Sequence, residues 1–342
     1  MVRFYYVQMP RQNRLNNPGS LFHIISRGIE RRKIFLTEDD RENFLERLSL
    51  GLSKTGYQCY AWALMPNHLH LLLRSGVAPL SDLMRGLMGG YAGSFNRRHK
   101  RRGVLFQNRY KSIICQEDAY LLELVRYIHL NPLRAKLVED IKSLKKFPWT
   151  GHSAVCGAIK REFQEVEEVL SLFGEKRKSA LSDYIKFISE GVSMGNREDL
   201  TGGGLRRSAG GWIGVELLKK QKEYWQGDDR ILGDGDFVTK VLKASEEEIE
   251  KKEKLLRQGW DLERLSHIVC KTMSVNPNDL REKGRANNLS EAKAAISYLA
   301  NNDLGKRRKE IADFFKVSKP AITYIIKSGK RAVDIYKLNS LF

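Results

Sequence analysis

Two histidines separated by a single residue are the first feature that could do chemistry. His68 and His70 lie in the run Met65-Pro66-Asn67-His68-Leu69-His70-Leu71-Leu72. On a β-strand, residues i and i+2 point to the same face, so both imidazoles would project together. Such a pair can bind a divalent cation if a third group completes the site. A polar sheet face without a metal is the simpler interpretation of the pair taken alone.

A second candidate segment contains a tyrosine and an asparagine four residues apart. Tyr127 and Asn131 share one face if the segment is helical. The amide oxygen of Asn131 could then complete a cation site. The Tyr127 hydroxyl, next to a metal-bound phosphate, could act as a nucleophile in phosphodiester cleavage. The alternative is that Tyr127 is a half-buried aromatic residue where a helix meets a sheet.

A basic segment lies between these two motifs. Residues 91–112 contain seven Lys or Arg and no acidic residue, with Phe95, Phe106 and Tyr110 interleaved. Cations for phosphates together with aromatic faces for bases are typical of proteins that bind unpaired nucleic acid. A solvated basic loop is the alternative. The predicted DNA-binding residues here are Arg97, Arg98, Lys100, Arg101, Arg102, Arg109 and Lys111.

The elements that must position these residues alternate along the first 150 residues. Strands are predicted at 21–26, 57–64, 68–73 and 112–115, and helices at 38–54, 80–95 and 117–130. This order predicts an α+β domain, a ferredoxin-like antiparallel sheet covered by helices, over residues 1–150. We expect a linker and helical middle region over 151–234, including a glycine-rich stretch at 191–211. An all-α domain is predicted over 235–342.

The pattern of residues 308–327 predicts a helix-turn-helix. Ala312 would lie at the helix crossing, Val317 would fill the turn, and Ser318 would cap the second helix. Lys316 stands where glycine is usual in the turn. A plain helical hairpin is the alternative, but residues 305–331 carry a net charge of +7, which favours DNA binding. The residues predicted to contact duplex DNA are Lys319, Ala321, Thr323 and Tyr324.

Charge and composition restrict the class of protein. The chain has 342 residues and a net charge of +19, of which residues 1–150 carry +13, while residues 151–304 are close to neutral. Two basic modules flanking a neutral middle indicate a polyanionic partner. The longest apolar runs are too short to cross a membrane, and we expect no secretion signal. Four widely spaced cysteines without a CxxC pair argue against disulfide frameworks and zinc knuckles, so a cytoplasmic location is expected.

Three ordered blocks resemble the single-tyrosine HUH transposases, including the REP-associated tyrosine transposases and their insertion-sequence relatives. They are the His68 run, Gly103-Val104-Leu105-Phe106-Gln107-Asn108-Arg109-Tyr110-Lys111, and Tyr127-Ile128-His129-Leu130-Asn131-Pro132-Leu133-Arg134-Ala135. The resemblance covers about residues 15–150. It implies that His68 and His70 hold Mg²⁺ or Mn²⁺, with Asn131 as third ligand. It also implies that Tyr127 attacks single-stranded DNA and leaves a 5′-phosphotyrosine and a free 3′-hydroxyl.

The C-terminal helices resemble the DNA-binding domain of bacterial replication initiators. Together the two resemblances imply a nuclease and strand-transferase acting on a DNA hairpin with a single-stranded flank. The sequence leaves open whether the protein is a monomer or a homodimer. A domesticated regulator that binds DNA without cutting it is the first alternative. An RNA-binding protein is the second, although a helix-turn-helix favours DNA.

Overall fold

The computed structural model describes residues 19–76, 78–195, 197, 200, 228, 230–281 and 288–342. The chain divides into two compact units, Met1–Lys243 and Ala244–Phe342. Two predicted features lie outside the described part. They are the glycines at 202–204, 210 and 211 of the expected linker, and the side chain of Lys319.

The first unit is built from strands and helices in the predicted order. The strands are β1 Leu21–Arg27, β2 Gln58–Met65, β3 His68–Arg74, β4 Lys111–Cys115 and β5 Ile231–Leu232. The helices are α1 Glu38–Thr55, α2 Leu80–Arg98, α3 Glu117–His129, α4 Asn131–Arg134, α5 Ile141–Lys146, α6 Gly151–Val155, α7 Val166–Ser171 and α8 Arg177–Glu190. The α+β class predicted from the sequence is therefore confirmed.

The strands form one sheet in the order β2-β3-β1-β4-β5. The first four strands pair with one another in antiparallel orientation, as predicted. The fifth strand pairs in parallel with β4 and was not predicted. Two residues carry too little periodicity to identify a strand from sequence, and here pairing with an existing edge determines it.

Each face of the sheet is covered by a separate hydrophobic core. One face packs against α1 and α2, with large side chains such as Phe44, Trp62 and Tyr91. The other face packs against α3 and α8, with Tyr60, Ile128 and Tyr184. Burial on both faces explains why β2 is apolar along nearly its whole length, where a one-sided sheet would show alternation.

The compact units differ from the predicted domain boundaries. Residues after 150 belong to the first unit, because Val155, Tyr184 and Leu232 are buried in the core beneath α3. Gly191, expected to begin a linker, packs so closely that a Cβ there would meet the side chain of Arg126. The composition signal at 191–211 therefore does not mark a boundary at its first glycine.

The second unit is helical, as predicted. Helix α9, Gly235–Arg257, begins in the first unit and ends in the second. It is followed by α10 Leu262–Thr272, α11 Asn288–Asn302, α12 Arg308–Phe314 and α13 Lys319–Ile335. Short 3₁₀ segments occur at Pro277–Arg281 and Leu338–Leu341 of this unit and at Ile29–Arg31 of the first unit. Within the described ranges, no helix is both long and apolar enough to cross a bilayer.

Candidate active site

Strand β3 places both motif histidines on the face of the sheet that α3 covers. His68 lies opposite Arg27 of β1 and Met65 of β2, and His70 lies opposite Ile25 and Ala63. The two imidazole centroids are 5.2 Å apart. His68 is partly exposed at the start of the strand, whereas His70 is only 4% exposed. The pair therefore faces one side, as the i, i+2 spacing predicts, but lies deeper than a surface pair.

Helix α3 brings Tyr127 to this histidine pair within the same chain. The Tyr127 ring centroid is 5.7 Å from that of His70, in an edge-to-face arrangement. The helix begins with acidic residues at 117 and 118 and ends at His129, and its buried face includes Leu124 and Ile128. This apolar stripe orients the helix so that Tyr127 points at the sheet.

The histidines have the protonation state that a metal ligand needs. Burial, and secondarily the charge of Arg27, lowers the pKa of His68 to about 4. Burial, with neighbouring His23 and His68, lowers the pKa of His70 well below its ordinary value. Both imidazoles are therefore neutral at pH 7 and keep a lone pair for a cation.

The hydrogen bonds of His68 orient the nitrogen that would bind the cation. The Asn67 amide donates from Nδ2 to the Arg31 carbonyl at 3.2 Å, so its Oδ1 is an acceptor. Nδ1 of His68 donates to this Oδ1 at 2.7 Å, so the lone pair of the neutral ring is on Nε2, where it could bind a cation. The residues present thus fit a divalent cation held by imidazole.

A third ligand for such a cation would have to be of a different type. No cluster of three or more His, Cys, Asp or Glu suited to a metal occurs among the residues that the structure describes. Asn131 begins α4, directly after α3, and its Nδ2 donates to the main-chain oxygen of Tyr127 at 3.0 Å. This bond ties the amide to the end of the tyrosine helix and leaves Oδ1 as its acceptor atom.

Three residues near the site were missed by sequence reasoning. His23 Nε2 lies 3.0 Å from His70 Nδ1, and the His23 ring is 6.0 Å from that of Tyr127. Arg27 lies opposite His68 and is exposed. The Arg134 guanidinium lies 5.4 Å from the centre of the Tyr127 ring. Arg134 is part of the third motif block, so the sequence could have indicated it. Residues 23 and 27 could not be connected with β3 without knowing that β1 pairs with it.

The basic segment differs from its predicted role in two respects. Phe95 and Phe106 are buried in the core between the sheet and helices α1 and α2, and Tyr110 packs against this core. These rings are therefore not exposed for stacking with bases. Arg98 pairs with the buried carboxylate of Asp40 at 2.6 Å, which gives it a structural contact. The spacing of these aromatic residues among the basic ones does not indicate that their rings are buried. The remaining predicted cations are largely exposed: Arg97, Lys100, Arg102, Arg109 and Lys111, with Arg101 partly buried.

The second unit has two helices, α12 and α13, joined by a short turn at the position where a helix-turn-helix is predicted. Lys316 has φ +53°, the left-handed conformation for which glycine is usual, so lysine is accommodated in the turn. Ser318 caps α13 by accepting from the Ala321 N–H. Tyr324 is 76% exposed, whereas Thr323 is half-buried. The second helix continues to Ile335, beyond the predicted end at 327.

Comparison with known proteins gives three similarities. Residues 18–131 match the family described as "Transposase IS200 like", which is a third of the chain. A stretch of 79 residues is 27% identical to the chromosomal replication initiator protein DnaA of Campylobacter curvus (strain 525.92), and covers 23% of this chain and 18% of that protein. The chain thus spans about a fifth of that relative.

One solved structure is similar in part. It is described as "Structure of the REP associates tyrosine transposase bound to a REP hairpin". The superposition has a TM-score of 0.36 and 17% identity, and it covers 46% of this chain and 90% of the other.

Proposed function

We propose that this chain, whose residues 18–131 belong to the IS200-like transposase family, is a metal-dependent endonuclease and strand-transferase for single-stranded DNA. The observation that carries this proposal is the placement of Tyr127 of α3 beside His70, which lies next to His68 on the same face of the sheet. A hydroxyl nucleophile next to two neutral imidazoles that can hold a divalent cation suits metal-assisted phosphodiester transfer. The family match covers this constellation and ends at Asn131.

In the proposed reaction, the Tyr127 hydroxyl oxygen attacks a backbone phosphorus. The Oη–P bond forms as the P–O3′ bond breaks, so the product is a 5′-phosphotyrosine. The phenol proton is balanced by the proton that the departing 3′-oxygen takes up. A Mg²⁺ or Mn²⁺ ion held by His68, His70 and Asn131 would polarise the phosphate and stabilise the developing charge. The transfer keeps the phosphodiester energy for rejoining to a second 3′-hydroxyl.

The chain's own residues would bind and orient the strand. Arg27, which lies opposite His68 on the neighbouring strand, and Arg134, whose guanidinium lies against the Tyr127 ring, suit the non-bridging phosphate oxygens. Because Tyr127 lies beside His70 within one chain, no second copy is needed to bring this hydroxyl to the histidine pair. We therefore propose cleavage in cis.

The second unit would bind duplex DNA. The exposed face of α13, with Tyr324, follows a capped turn and lies within a segment of net charge +7. A helix of this kind reads the major groove, while the first unit needs an unpaired strand. A hairpin with a single-stranded flank is the substrate that suits both units.

The experiment that tests the function uses the full chain with labelled oligonucleotides. We expect single-stranded DNA beside a hairpin, with Mn²⁺ or Mg²⁺, to give a shortened product and an SDS-resistant protein–DNA adduct. The same strand as RNA should give neither. Binding without cleavage of any DNA would favour the regulator, and adducts with RNA would favour RNA processing.

A further inference from the structure

We propose that His23 is a positioning residue, which holds His70 in the tautomer whose Nε2 can bind a cation. The inference rests on the proposed function and extends it to a residue outside the histidine motif. His23 lies on β1, 47 residues before His70, and its side chain is buried. Both rings lie on the sheet face that α3 covers.

A backbone carbonyl determines the direction of the hydrogen bonds. His23 Nδ1 lies 3.2 Å from the carbonyl oxygen of Leu200. A carbonyl oxygen can only accept, so Nδ1 of His23 carries the proton and, in the neutral ring, Nε2 carries the lone pair. That Nε2 lies 3.0 Å from Nδ1 of His70, so His70 must donate from Nδ1. The free lone pair of His70 is then on Nε2.

The two motif histidines reach the same tautomer by different means. For His68 the acceptor is its neighbour in sequence, Asn67. The neighbours of His70 are Leu69 and Leu71, which offer no side-chain acceptor, and burial excludes water from its Nδ1. Without His23 the proton of a neutral His70 could occupy either nitrogen. Outer partners that orient ligand imidazoles typically contribute 10- to 100-fold to metal affinity.

The last acceptor in this chain of hydrogen bonds, the Leu200 carbonyl oxygen, lies outside the residues that match the family. Leu200 is fully buried, and its residue number lies well beyond 131, where the match ends. The later part of the first unit therefore contributes to the site through a main-chain oxygen, in addition to its packing.

Two measurements on the full chain test the inference. Long-range ¹H–¹⁵N spectra of the metal-free protein, labelled at histidine, report which nitrogen of each ring is protonated. Calorimetric titration with Mn²⁺ alone reports affinity. His23→Leu removes the acceptor, whereas His23→Gln is the matched variant, because its amide oxygen can take the place of Nε2.

We expect wild-type His70 to be protonated at Nδ1, and His23→Leu to weaken Mn²⁺ binding by about tenfold. His23→Leu should also move the His70 signature towards a mixture, while His68 stays unchanged as an internal reference. His23→Gln should bind within about threefold of wild type. If His23→Leu does not fold, the inference is tested by the protonated nitrogen of His70 in the wild-type spectrum and by the Mn²⁺ affinity of His23→Gln.

Protonation of wild-type His70 at Nε2 would overturn the inference, as would equal Mn²⁺ affinity in the Leu variant. The proposed function survives either result as long as the wild-type protein binds Mn²⁺ and cleaves DNA. Absence of Mn²⁺ binding by the wild-type chain would instead overturn the metal-dependent function, and the inference with it.

Discussion

The ring of Tyr127 lies 5.7 Å from the ring of His70, although the two residues are on different elements and 57 positions apart. Strand β3 supplies one and helix α3 the other, and apolar packing beneath the helix brings them together. This relationship joins a nucleophile candidate to a metal-ligand candidate within one chain.

Tyr127→Phe should abolish the covalent protein–DNA adduct and leave affinity for single-stranded DNA within about threefold, because only one neutral hydroxyl is removed. Tyr120→Phe, earlier on the same helix, is the matched control and should still form the adduct. Adducts are measured by SDS gel and affinity by filter binding. An SDS-resistant adduct in the Tyr127 variant would identify a different nucleophile.

His68→Ala should lower Mn²⁺-dependent cleavage by about 100-fold or more while the protein stays folded, because His68 is partly exposed at a strand end. His70 is the less suitable test residue, since its removal also deletes the hydrogen-bond donor to Nε2 of buried His23. His267→Ala, an exposed histidine of the second unit, serves as the control. Undiminished cleavage by His68→Ala, or full activity of wild type in excess EDTA, would contradict the metal assignment.

Asp40→Asn should destabilise the first unit by about 3 kcal/mol at neutral pH, because Arg98 and His99 both lie on this buried carboxylate. Burial alone raises the pKa of Asp40, but hydrogen bonds from His99, the backbone of Leu36 and Thr37, and Arg98 together lower it below its ordinary value.

A lowered folded-state pKa means that the stabilisation by Asp40 is complete above the ordinary pKa near 3.8 and is lost as the pH falls through the lower folded value. The difference in unfolding free energy between wild type and variant should therefore shrink as the pH falls below 3.8. Urea unfolding at each pH measures it, with exposed Asp39→Asn as the control. A difference that grows as the pH falls below 3.8 would refute this assignment.

Gly329→Ala should destabilise the second unit by about 2 kcal/mol, because a Cβ at this position would overlap the carbonyl oxygen of Ala294 and the Cβ of Tyr298. Helices α11 and α13 cross closely at this glycine. Gly86→Ala, an exposed glycine of α2 with open space around its Cα, should instead stabilise by about 0.5–1 kcal/mol. Thermal melting measures the stability of both variants. Unchanged stability of Gly329→Ala would show that the two helices can move apart to accommodate the methyl group.

Deleting residues 244–342 should preserve cleavage of a short isolated strand and weaken binding to hairpin duplex. The cut falls at the boundary between the units and keeps Val238 and Val241, which are buried in the core of the first unit. Every phosphate that the shortened protein no longer neutralises should flatten the slope of log affinity against log salt by roughly 0.9. Parallel lines for the two proteins would mean that the second unit neutralises no phosphates of the duplex.

The local arrangement of the candidate site could be predicted from the sequence. The shared face of His68 and His70 follows from the two-residue repeat of a strand. The helical repeat places Tyr127 on the buried face of α3, whereas Asn131 lies in the separate short helix α4 and contacts the Tyr127 carbonyl through its side chain. The strand and helix order, the α+β class, and a capped turn before Pro320 follow in the same way from short-range patterns.

Only the tertiary structure determined which residues from distant segments contact each other. His23 meets His70 because β1 pairs with β3, and Leu200 meets His23 from 177 residues away. Burial of Phe95 and pairing of Arg98 with Asp40 likewise depend on how α2 packs on α1. The physical reason is that backbone periodicity determines direction over a few residues, whereas strand register and core packing are set by contacts between segments far apart in sequence.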